Sequence, residues 1–192
     1  MSARETILDA AARVMREKGL ARATTKEIAR TAGYSEALLY KYFADKQEIY
    51  LAVLHERAGG LTDARELVGT AEVRGNLEGL VVRLMEFYVK SFPMSASIFS
   101  DRELLAHWRE SIQAKGGGPR WPIRALEGYL EEEMSRGRIR PATDVASIAA
   151  LLGGAAFQAA FLACFEGLDE VPRSRALADG LVKAALGEAA KL

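Results

Sequence analysis

Residues 24–41 read Thr24-Thr25-Lys26-Glu27-Ile28-Ala29-Arg30-Thr31-Ala32-Gly33-Tyr34-Ser35-Glu36-Ala37-Leu38-Leu39-Tyr40-Lys41. Thr24 followed three residues later by Glu27 is a capping-box pattern: the hydroxyl accepts from the backbone N–H of Glu27, and the carboxylate reaches back. A helix then runs through Ile28 and Ala29 to Ala32. Gly33 supplies the turn, because glycine takes positive φ without a steric cost. Ser35 opens a further helix of about seven residues carrying Leu38, Leu39 and Tyr40. A helix, a glycine turn and a short helix in this order predict a helix-turn-helix.

Helix signals continue on both sides. Ile7, Ala11 and Val14, flanked by Leu8, Ala12 and Met15, form an apolar stripe that predicts a first helix ending at Gly19. Asp45-Lys46-Gln47-Glu48 is a second capping-box pattern and opens a fourth helix bearing Ile49, Leu51, Val53 and Leu54. Leu77, Leu80, Leu84 and Tyr88 keep helical spacing up to a break expected at Pro93. A shorter helix is expected over Asp101–Ala114, before the connection Gly116-Gly117-Gly118-Pro119. Pro122 suits the first turn of a helix ending near Arg136-Gly137, Pro141 the start of an apolar helix through Phe165, and Pro172 the start of a last helix over Val171–Ala190. No run alternates as a strand does. The expected fold is all-α with about nine helices: an N-terminal head over 1–50 and a helical body over 51–192, with the boundary inside the fourth helix at about 48–60.

Composition excludes several functions. The 192 residues include 26 basic and 26 acidic side chains, so no broadly basic surface is expected. Residues 1–50 hold nine Lys/Arg against seven Asp/Glu, a slight basic excess in the head. A single cysteine, Cys164, excludes an internal disulfide and a thiolate metal cluster, and His55 and His107 form no ligand-spaced pair. No metal and no cofactor are expected. The N-terminus lacks a signal-peptide core, so the cytoplasm is the expected compartment. The stretch nearest to a membrane span, Val145–Phe165, is rich in Ala and Gly and carries Gln158, which predicts a buried helix of a soluble protein.

Arg4-Glu5-Thr6-Ile7-Leu8-Asp9-Ala10-Ala11, Thr24-Thr25-Lys26-Glu27-Ile28-Ala29, Ala32-Gly33-Tyr34-Ser35, Leu39-Tyr40-Lys41-Tyr42-Phe43 and Lys46-Gln47-Glu48 together resemble the head of the tetracycline-repressor (TetR) family of bacterial regulators. The resemblance covers residues 4–53. It implies a DNA-binding head on a helical, ligand-binding and dimerising body, and it places Ser35, Glu36 and Ala37 at the tip of the recognition helix. Tyr40, Lys41 and Tyr42 follow as backbone contacts, with a base contact open to Lys41. Thr25 and Lys26 face the same surface. Lys46 in the first turn of the fourth helix opposes that helix dipole, so helix stability does not explain it, whereas a phosphate contact does. Glu36 departs from a phosphate-binding pattern: its carboxylate is repelled by phosphates, and two readings stay open, acceptance from cytosine N4 as a specificity element or simple service to the helix dipole.

One short helix-turn-helix touches few base pairs, so a homodimer on a palindromic operator is expected. Leu151, Leu152, Ala155 and Ala159 of one helix, with Leu177, Leu181, Val182 and Ala185 of the last, are the candidate dimer surface. The resemblance also implies an effector pocket. Met85, Tyr88, Phe92, Met94 and Phe99 are candidates from the middle of the chain. Trp108, Trp121, Phe157, Phe161 and Cys164 follow, with Gln158 as the polar handle. The expected function is a repressor released from its operator by a small hydrophobic or aromatic effector. Alternatives are a ligand-responsive activator on the same fold, or a ligand-binding or scaffold protein with a vestigial head. An enzyme is disfavoured: Cys164 lies within an apolar helical run, and the glycines at 116–118 lack a phosphate-loop signature.

Overall fold

The computed structural model describes residues 2–56, 64–100, 102–114 and 118–187. The glycines at 116–117, the expected boundary at 57–60, the side chains of His55 and His107 and the far end of the last helix lie outside the described residues. Among the described residues there are nine α-helices and no β-strand element. Packing divides the chain into two units: Met1–Gly59 with Lys90–Gly118, and Gly60–Val89 with Pro119–Leu192. The head thus takes in a segment from the middle of the chain as well as its N-terminus.

The first unit is built from α1 (Ala3–Arg22), α2 (Thr25–Ala32), α3 (Glu36–Tyr42), α4 (Lys46–Glu56), the last turns of α5 (Val73–Ala96), a 3₁₀ turn at Ser97–Ser100 and α6 (Arg102–Ala114). Ile7, Leu8 and Met15 of α1 are fully buried against Ile28, Leu39 and Ile49 from the next three helices. Met94, Ile98 and Trp108 complete this core, and the Trp108 ring meets that of Tyr50 edge to face at 5.5 Å. α1 begins with a capping box that sequence reading missed: Glu5 N–H donates to Ser2 Oγ at 3.2 Å and Ser2 N–H to Glu5 Oε2 at 2.6 Å. It also continues past Gly19 in a kink rather than ending there. Gly19 has φ 73°, and a Cβ at this position would lie 2.7 Å from Ser97 Oγ, so both conformation and space demand glycine.

The two expected capping boxes form in altered shape. Thr24 accepts from Glu27 N–H at 3.2 Å, but the Glu27 carboxylate pairs with Lys18 and Arg30. Asp45 accepts from Glu48 N–H at 2.8 Å, while Glu48 reaches one residue further back, to Ala44 N–H at 2.6 Å.

The second unit comprises a 3₁₀ turn at Ala64–Leu67, α5 up to Val89, α7 (Trp121–Ser135), α8 (Val145–Phe165) and α9 (Ser174–Leu186). α5 runs through Pro93 instead of breaking there; the proline leaves the Val89 carbonyl without its i+4 donor, and that carbonyl accepts from the Cys164 thiol at 3.7 Å. α8 starts at Val145, capped by Asp144, later than Pro141 suggested. α9 starts at Ser174, beyond Pro172. Leu77, Leu80, Leu84 and Met85 of α5 pack with Leu126, Tyr129 and Leu130 of α7 and Leu152, Ala156 and Ala160 of α8. The fully buried Glu133 accepts from Gly69 N–H at 3.1 Å and lies 3.4 Å from Arg138 Nη1, tying residues 69–71 to the end of α7.

α8 is not the buried helix expected. It is long and apolar enough to cross a membrane by length and composition, and only one face packs inside the unit. Leu151, Phe157, Phe161, Leu162 and Phe165 are all exposed on it, Phe165 by 82%.

Candidate nucleic-acid interface

The helix-turn-helix forms at the residues expected of it. Gly33 closes α2 at φ 77°, with its N–H turned back to the α2 carbonyls. A left-handed C-cap of this kind lets the chain reverse within two residues. Ser35 then caps α3, its Oγ accepting from Leu38 N–H at 3.2 Å. Leu39 is completely buried and Phe43 nearly so, which fixes the roll of α3 about its axis. That roll leaves Ala37, Tyr40, Lys41 and Tyr42 exposed, together with Lys26 at the start of α2. Tyr40 is 51% exposed and Tyr42 42%, both high for aromatic side chains. Tyr34 is also exposed.

Four of the candidates carry side-chain bonds that leave no local signal in the sequence. Thr25 Oγ1 lies 2.5 Å from Glu36 Oε1 and 3.3 Å from the Tyr40 hydroxyl, so the starts of α2 and α3 are joined through polar side chains. Lys46 Nζ donates to the carbonyls of Leu20 and Ala23, each at 3.1 Å. It satisfies acceptors left open at the end of α1, and burial pushes its pKa below the usual lysine value. This explains a lysine that opposes its own helix dipole without any phosphate. Thr25, Tyr40 and Lys46 border one open recess of about 340 Å³. Arg4, from the first motif, forms a two-pronged pair with Glu56 at 2.6 and 2.8 Å and lies 5.4 Å over the Phe43 ring, bracing the head.

The effector candidates do not gather in one unit. Met94 and Trp108 are core residues of the first unit, and Phe99, also there, is 71% exposed. Phe92 lies in the α5 segment of that unit. In the second unit Tyr88 meets the Phe157 ring edge to face at 5.3 Å. Phe87, which sequence reading passed over, lies 5.4 Å from Tyr88 and 6.2 Å from Trp121 and links the candidates into one aromatic cluster. Its signal was its place beside Tyr88 in an apolar helical run. Burial pushes the Tyr88 phenol up to about 12, so it stays protonated at neutral pH. Cys164 points its thiol at the Val89 carbonyl, 3.7 Å away, and Met85 is buried core. Gln158 and Phe161 are exposed on the outer face of α8.

Two dimer candidates are corrected. Leu152 and Val182 are buried in the core of their own unit. Gly153 also faces inward: a Cβ there would come within 2.9 Å of Ile123 on α7. Leu151 is 65% exposed and Leu177 also stands open, whereas Ala155, Ala159, Leu181 and Ala185 are half-buried.

A short recognition helix held by a glycine turn, with tyrosines and lysines exposed around it, defines a helix-turn-helix DNA-binding protein. Residues 7–53 match the family model of bacterial regulatory proteins of the tetR family. The chain is 42% identical over 60 residues to the HTH-type transcriptional regulator BetI of Rhizobium meliloti (strain 1021), a match covering 31% of this chain and 30% of that one. Two solved structures share the fold. A TetR-family transcriptional regulator of Mesorhizobium loti is 21% identical, with TM-score 0.70 and coverage of 98% and 97% of the two chains. The transcriptional regulator FadR of Bacillus subtilis, in complex with stearoyl-CoA, is 20% identical, with TM-score 0.65 and coverage of 94% and 96%.

Proposed function

We infer that this regulator is a homodimeric repressor that occupies a palindromic operator in the cytoplasm and leaves it when a small, largely apolar molecule binds the body, the functional division falling at about residue 50. The observation that carries the DNA half is the exposure of Tyr40, Lys41 and Tyr42 on a helix whose apolar side is locked by Leu39 and Phe43. Two such helices about 34 Å apart reach successive major grooves on one side of the duplex. Occupancy of a promoter excludes the polymerase, which makes repression the simplest outcome. The cluster of Phe87, Tyr88, Trp121 and Phe157 supports an aromatic or acyl effector, with the neutral Tyr88 hydroxyl as a polar handle. A relative solved with stearoyl-CoA supports the same class of ligand. The exposed apolar face of α8, with Leu177 of α9, supports a pairing surface between two copies.

Selection of genomic fragments by the full chain, followed by salt titration of the best fragment, tests this. A short palindrome is expected. Tyr40→Phe and Lys41→Ala should each weaken binding, and Lys41→Ala should lower the slope of log K against log salt by about 1. Enrichment of no fragment would overturn the regulator reading in favour of a ligand-binding body with a vestigial head.

A further inference from the structure

Glu36 is the one carboxylate on the exposed tip of α3, and the fold holds it in place. Its Oε1 lies 2.5 Å from Thr25 Oγ1, eleven residues earlier in the chain. An ionised carboxylate only accepts, so the threonine proton must lie between them. Thr25 Oγ1 is in turn 3.3 Å from the Tyr40 hydroxyl. Glu36 is half-buried, its side chain pinned between the first turns of two helices instead of trailing into solvent. Among the described residues its second oxygen, Oε2, carries no hydrogen bond.

We propose that Glu36, held by Thr25, is a specificity-determining residue that reads a cytosine N4 amino group in each half-site while lowering the affinity of the head for DNA of any other sequence. The proposal rests on the DNA-binding reading above and adds the base. Major-groove edges present acceptors at guanine N7 and O6, at adenine N7 and at thymine O4, all of which repel a carboxylate. Cytosine N4 and adenine N6 are the donors. Adenine sets its amino group beside the N7 acceptor, whereas the cytosine edge carries no acceptor, so cytosine is favoured. Thr25 fixes the direction of the carboxylate before DNA arrives, which reduces the ordering cost of the contact. On non-cognate DNA the same negative charge faces the phosphates without a cytosine amino group to accept from.

The test compares the full-length protein with its Glu36→Gln and Thr25→Val variants on the selected operator, on operators substituted at each base pair in turn, and on random-sequence DNA. Thermal unfolding of each variant serves as the folding control. The wild type should favour C·G at one position per half-site by about tenfold or more. Glu36→Gln should lose that preference or shift it towards A·T, because an amide pairs with adenine, and should bind random DNA more tightly. Thr25→Val should relax the same position and no other. If the wild type selects an operator but Glu36→Gln keeps every base preference, the proposal is overturned while the regulator reading stands. If the wild type selects no operator, both fall together.

Discussion

Lys46 shows how one side chain can be read two ways. Its charge opposes the dipole of α4, yet its ammonium reaches back to the Leu20 and Ala23 carbonyls at the end of α1. Its structural duty is therefore to close one helix while standing in the first turn of another. Lys46→Ala should cost about 1.5–3 kcal/mol of stability, the range for hydrogen bonds made by a charged group, measurable by urea unfolding. The salt dependence of operator binding should hardly change. A fall of about one in the salt slope would instead place Lys46 on a phosphate. Tyr40 has only a 3.3 Å contact from its hydroxyl to Thr25 Oγ1, and Tyr40 and Lys41, both exposed, remain the plainer candidates for contact with DNA.

Among the elements, α8 has the clearest start signal. Asp144 Oδ1 accepts from Ser147 N–H at 3.0 Å and Oδ2 from Ser147 Oγ at 2.6 Å. These bonds, the side-chain one first, hold the Asp144 carboxyl below its ordinary value of 3.8. Folding therefore favours the ionised form. The cap's contribution is complete above pH 3.8 and is lost as pH falls through the lowered folded value. Asp144→Asn keeps a capping oxygen at every pH. Melting temperatures measured from pH 6 down to pH 2 should show the wild type losing stability faster than this variant over the acid limb; parallel curves would remove Asp144 from the account. A local signal of this kind is legible in sequence, because cap and helix lie within four residues. Pro93 and Pro141 were poorer guides. α5 carries its proline near its end, and α8 waits for an aspartate to accept its free N–H groups.

For the whole molecule, the proposed function rests on two exposed faces, the α3 surface offered to DNA and the α8 surface offered to a second copy. Leu162 stands exposed on the apolar α8 face, in the last turn of the helix. Leu162→Glu should leave the single chain folded and convert the dimer to a monomer in sedimentation equilibrium. Losing the link between two heads should weaken operator binding by about 10²–10⁴-fold. A dimer that persists would move the interface elsewhere.

The sequence by itself determined the helical class and the helix-turn-helix over 24–43. Each rests on periodicity, a cap or a turn glycine acting over a few residues. Tertiary structure alone decided what Lys46 touches, that Thr25 holds Glu36, that Met94 and Trp108 belong to the core of the head, and which α8 leucines face inward. On a helix apolar all round, periodicity marks no buried side, so Leu151 and Leu152 look alike until α5 and α7 cover one of them. Contacts between residues far apart in the chain leave no local trace, because they depend on where packing brings separate helices together.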